Sequence, residues 1–112
     1  MIRDDLVYIK DVIDSIVLIE QYTLGRSEEE FNNDLQLQDA IIRRIEIMGE
    51  AMNNISEDFQ KRYSHIPWRE VIAMRNILIH EYFGVDINRI WTSIKNDMPQ
   101  LRLWLEQILD TR

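Results

Sequence analysis

The sequence predicts an all-α fold: an antiparallel bundle of about five helices, two long ones paired as a hairpin and three shorter ones packed around them. Three observations carry that expectation. Apolar residues recur every three or four positions over two long stretches, which is the helical period and not the strand period. Only three glycines and two prolines occur in 112 residues, so the chain has few places to turn. Hydrophobic residues make up 46% of the chain, enough for one core, and no linker or repeat divides it; residues 1–112 are expected to form a single domain.

Taken in order, Ile2, Leu6, Ile9, Ile13, Ile16 and Ile19 mark an amphipathic helix to about Tyr22, which Gly25 stops. Ser27-Glu28-Glu29-Glu30 reads as a capping box opening a short turn anchored by Phe31. A second long helix runs from Asp34 or Leu35 to Ile55 with Ile41, Ile45, Met48, Met52 and Ile55 as its stripe. Gly49 interrupts that stripe, and a close helix crossing is the simplest reason for it. Ser56 caps a short helix to about Tyr63. After Gly84, Asp86 caps a helix to about Asn96, and Asp97 caps a last one with Pro99 in its first turn and Leu101, Trp104, Leu105, Ile108 and Leu109 facing inward.

Between these lies the chemically richest stretch, a helix expected from Trp68 to about Phe83 with Pro67 at its start. At about 100° per residue, Arg69, Ala73, Asn76 and His80 share one stripe, and apolar residues take most of the remaining circumference. The helix should be mostly buried with a polar seam. Arg75 lies off the seam, in the apolar arc, where a guanidinium needs a partner.

Arg75-Asn76-Ile77-Leu78-Ile79-His80-Glu81-Tyr82 resembles the Arg-x4-His-x-Tyr signature of the HEPN superfamily. Ile66-Pro67-Trp68-Arg69-Glu70, Tyr82-Phe83-Gly84-Val85-Asp86, Asp97-Met98-Pro99 and Arg44-Ile45-Glu46-Ile47-Met48-Gly49-Glu50-Ala51 are similar to its HepT toxin branch, so the likeness spans nearly the whole chain. It implies an endoribonuclease toxin acting on tRNA or mRNA at a homodimer interface, alone or within a higher assembly. It also implies a minimal nucleotidyltransferase as antitoxin partner, which silences the toxin by transferring a nucleotide to Tyr82.

The residues fit that chemistry. Two histidines, no cysteine and no Glu-x-x-His motif make a metal site or other cofactor unexpected, so hydrolysis would rest on proton transfer and charge stabilisation. RNA supplies its own nucleophile, the 2′-hydroxyl. An imidazole such as His80 can take or give the proton, a guanidinium such as Arg75 can hold the phosphate, and Asn76 can orient the imidazole or bond the phosphate. One imidazole cannot serve both the attacking and the leaving oxygen, whereas two in a twofold dimer can. Arg69 and Arg43 are candidate RNA contacts, though at such positions arginines are ordinarily solvated surface.

Each residue has a structural alternative. Arg75 can be a buried ion-pair member with Glu46 or Glu50, His80 can simply favour a helix C-terminus, and Tyr82 and Trp68 can be core or interface aromatics. A net charge of −7 also excludes a general nucleic-acid coat and keeps a non-catalytic module, binding the nucleotidyltransferase or a nucleotide, in play. With charged residues next to Met1 and no long apolar run, a cytoplasmic chain without membrane association is expected.

Overall fold

The computed structural model describes residues 4–80 and 86–111, the side chains of residues 77–80 excepted. Among these residues it contains no strand and seven helices: α1 (Asp5–Thr23), α2 (Glu28–Asn32), α3 (Leu35–Asn53), α4 (Glu57–Arg62), α5 (Trp68–His80), α6 (Ile87–Asn96) and α7 (Met98–Asp110). Five are long enough to act as bundle members; α2 and α4, of five and six residues, are capped turns between them.

Helix α1 begins where the Asp4 side chain accepts the Leu6 N–H, and it buries Ile9, Val12, Ile16 and Ile19 as a single stripe. Val12 therefore takes the inward place expected of Ile13, which is only partly buried at the edge of that stripe. Gly25 turns the chain with φ +73°, a conformation that side chains disfavour. The Ser27–Glu30 capping box forms in both directions and sets Phe31 fully inside the core, 5.3 Å from the ring of Trp91. Gln38, buried, donates to the carbonyls of Phe31 and Asn32 and so satisfies the end of α2.

Helices α1 and α3 run antiparallel, as their end-to-end ties show. The Asp5 carboxylate accepts from the N–H of Ser56 at 2.9 Å and from its hydroxyl at 2.7 Å, while Arg26 and Asp34 meet at the other end. Helix α7 closes the far side of α1 through Arg102, which reaches Glu20 at 2.6 Å and Glu106 at 2.7 Å. Asp97 departs from expectation. It occupies the position before α7 but makes no side-chain cap, because its helical φ −103° and ψ −40° run α6 almost directly into α7.

Helix α3 is the spine, packed against α1 on one side and α5 on the other. Its expected stripe is all inside: Ile41, Ile45, Met48, Met52 and, just beyond its end, Ile55.

Candidate active site

The site is built from α5, and α5 is anchored at its start. Trp68 is buried, its indole N–H donates to the Tyr63 carbonyl at 3.1 Å, and its ring meets Phe59 edge-on. Beyond Trp68 the helix is less covered than expected. Val71, Ile72 and Met74 are only partly buried, and the Arg69, Ala73 and Asn76 stripe is exposed. The expectation of a mostly buried helix is corrected for residues 69–76, the part of α5 beyond Trp68 whose side chains are described: α5 packs mainly on α3, and these side chains are exposed or only partly buried.

Arg75 is half-buried. Its stem lies on α3 at Gly49, where no side chain intervenes, and Nη1 donates to the Asn76 Oδ1 at 2.9 Å. Nε is buried and has no hydrogen-bond partner among the described residues. No carboxylate pairs with this guanidinium among the described residues. Glu46 instead approaches Arg43 at 3.8 Å, and Glu50 is exposed, so the ion-pair alternative for Arg75 is not found there. A partly desolvated cation with one bond to a neutral amide retains a strong affinity for an anion.

The observed role of Asn76 is to hold Arg75 through its carbonyl oxygen, and among the described residues its amide N–H groups have no acceptor. His80 stands one turn beyond Asn76 on the same stripe, in the last described turn of α5. Its side chain lies outside the described residues, and so do Tyr82 and Gly84. Arg69 is exposed beside Lys61 and His65 in a groove of about 830 Å³ between α4 and α5. Gly49 opposes Val71 and Arg75, and the groove brings Asn53 and Ile55 to Trp68 and Arg69, so α3 and α5 run antiparallel. That register sets Arg43 level with the His80 turn, where its side chain is 66% exposed.

On the opposite flank of α5 from the seam, Ile45, Met48, Val71, Met74, Leu101 and Trp104 line an apolar cleft of about 490 Å³. Among the described residues no group of three His, Cys, Asp or Glu side chains is placed to hold a metal ion, and no helix is long and apolar enough to cross a membrane. Spacing alone did not reveal that Asn76 and Gly49 both act on Arg75. The glycine within an otherwise apolar stripe was the available signal.

Comparison with known proteins gives a consistent result. Residues 12–108 match the family model described as "Ribonuclease HepT-like". A "Probable ribonuclease HepT" of Thermococcus cleftensis is 44% identical over 101 residues, 90% of this chain and 92% of that protein. A "Gamma-glutamylcyclotransferase and putative RNase" of Methanocaldococcus jannaschii is 44% identical over 110 residues, and there the chain spans only 50% of the relative's length. From the same organism, a "Putative RNase" is 36% identical over 104 residues, 93% of this chain and 95% of the relative. No solved structure gives a significant match.

Proposed function

The chain belongs to the HepT-like ribonucleases, and from that premise we propose that it is a metal-independent endoribonuclease toxin whose site is shared by two copies of the chain. The observation that carries the reading is the guanidinium of Arg75, half-buried, held by Asn76 and without a carboxylate partner among the described residues. Such a cation about one and a half turns from a histidine suits a phosphodiester.

In this mechanism the imidazole of His80 takes the proton of an RNA 2′-hydroxyl, whose oxygen attacks the adjacent phosphorus. The bond to the 5′-oxygen breaks, and that oxygen is protonated by the imidazolium of the second protomer. Arg75 balances the charge gathering on the phosphoryl oxygens. The products are a cyclic phosphate and a free 5′-hydroxyl, and DNA, lacking the 2′-hydroxyl, is not cut. Arg69 and Arg43 contribute phosphate contacts at the margins. A minimal nucleotidyltransferase antitoxin silences the site by transferring a nucleotide to Tyr82, two residues from His80, where the added phosphate competes for Arg75.

The test is cellular RNA incubated with purified protein in excess chelator. Cleavage leaving cyclic phosphate, lost in His80→Ala and Arg75→Ala proteins that stay folded and dimeric, supports the reading. Retained activity in both variants rejects the site. The net charge of −7 favours a second reading, a non-catalytic module that binds the nucleotidyltransferase or a nucleotide without cutting RNA. That reading predicts complex formation but no cleavage of any cellular RNA.

A further inference from the structure

Gly49 lies buried in the middle of α3, and Arg75 is what it faces. A Cβ added at position 49 would overlap the Cβ of Arg75 and come within 2.7 Å of its Cγ and 3.3 Å of the Val71 carbonyl oxygen. A change of Arg75 rotamer moves the Cγ but not the Cβ, and the carbonyl is fixed to the backbone. The overlap is therefore relieved only if α5 itself retreats from α3 by roughly an ångström.

We infer that Gly49 is a positioning residue for Arg75. By presenting bare backbone it lets the arginine stem lie flat on α3, which covers Nε and delivers the guanidinium edge to Asn76. Contact with Val71 alone would be tolerable at 3.3 Å; the demand for glycine comes from the Cβ and Cγ at position 75, the foot of the arginine stem. The catalytic consequence of this seating rests on the function proposed for Arg75, but the seating does not. Retreat of α5 carries Asn76 and the His80 turn with it, so the whole seam shifts relative to residues anchored elsewhere, Arg43 on α3 among them.

Two readouts separate the inference from its premise. In Gly49→Ala, kcat for RNA cleavage should fall roughly 10- to 100-fold while the KM moves less than about threefold, because a displacement near 1 Å harms the transition state more than ground-state binding. Independently of activity, the Arg75 Nε–H signal in nitrogen-labelled protein should exchange with water at least about tenfold faster, since its cover is lost. Gly49→Ala/Arg75→Gly, which removes both clashing atoms, should be more thermally stable than Gly49→Ala alone. Wild-type kcat together with wild-type Nε exchange in Gly49→Ala overturns the inference, and so does a double variant no more stable than the single one. If Gly49→Ala does not fold, recovery of folding in the double variant supports the inference and continued unfolding overturns it. If the wild-type protein cuts no RNA, the nuclease reading fails while the exchange and stability measurements still decide the role of Gly49.

Discussion

Replacing Arg75 by methionine should abolish RNA cleavage without weakening the fold. Methionine keeps an unbranched stem to lie against Gly49 and removes the guanidinium. One bond is lost, from Nη1 to Asn76, and at a partly exposed site it is worth about 0.5–1 kcal/mol. One cost is removed, the buried Nε with no hydrogen-bond partner, worth about 1–3 kcal/mol. The balance is a protein between unchanged and about 2.5 kcal/mol more stable, or up to roughly 10 °C in Tm. Urea unfolding followed by circular dichroism at one fixed protein concentration measures it, with an unchanged m-value required for the comparison. A loss of more than about 1 kcal/mol would refute the reasoning, because it would mean that the guanidinium is a structural node whose partner outweighs its desolvation. A stable but inactive variant is the signature of a charge kept for function at the expense of stability.

Phe31→Ala should cost about 3–5 kcal/mol in urea unfolding, since the ring is 0% exposed and packed on Trp91; a cost under 1 kcal/mol would mean that the α2–α6 contact is dispensable. Asp5→Ala should cost about 1–2 kcal/mol by unbolting the start of α1 from Ser56, and Asp5→Asn about half of that, because one of the two acceptor oxygens survives. Arg102→Ala should cost only about 0.5–1 kcal/mol, discounted for solvent since the three side chains are 34–40% exposed, and the difference should shrink in 0.5 M salt, a level chosen as roughly three times physiological. Bonds to Glu106 and then Glu20 raise the pKa of Arg102. A raised value means that this contribution is present below the unfolded pKa and is lost only as pH rises through the still higher folded one. The difference between wild type and Arg102→Ala should therefore be flat between about pH 6 and 9 and vanish only in strong alkali.

Helix boundaries were largely legible because their causes are local. The capping box at Ser27, the turn at Gly25 and the caps at Ser56 and Asp86 each depend on a few neighbouring residues and form as the spacing predicts, and the cap at Asp34 fixes the start of α3 at the later of the two expected positions. The inward stripe of α3 was legible for the same reason, a period that one helix carries within itself. Asp97 misled because capping requires an extended backbone, and whether the chain straightens between α6 and α7 depends on how those helices pack. The burial of α5 misled for a related reason. Periodicity shows which residues are apolar, but the number of neighbours a helix acquires is decided by the whole bundle, and α5 acquires mainly α3. The partner of Arg75 could not be read at all. Its neighbour in space, Gly49, lies 26 positions away in sequence, and nothing local distinguishes a guanidinium lying on a glycine from one paired with Glu46.

An acidic chain is an awkward vehicle for RNA chemistry, and the seating of Arg75 bears on how the difficulty is met. Carboxylates outnumber basic side chains 20 to 13, yet among the described residues only three arginines pair with one. Arg26 finds Asp34, Arg43 approaches Glu46, and Arg102 takes Glu20 and Glu106. Arg75, although more deeply set than Arg26 or Arg43, is given a neutral carboxamide. Distant carboxylates matter little at physiological ionic strength, where exposed charges beyond about 8 Å are screened. A phosphate that reaches Arg75 therefore meets a cation with no carboxylate partner among the described residues, while the acidic surface repels the strand. Binding should depend on few phosphate contacts and show a shallow salt dependence, with a log–log slope nearer −2 than the roughly −6 or steeper of proteins that coat nucleic acid. A steep slope would mean that an extended basic surface does the binding, which the composition of this chain opposes.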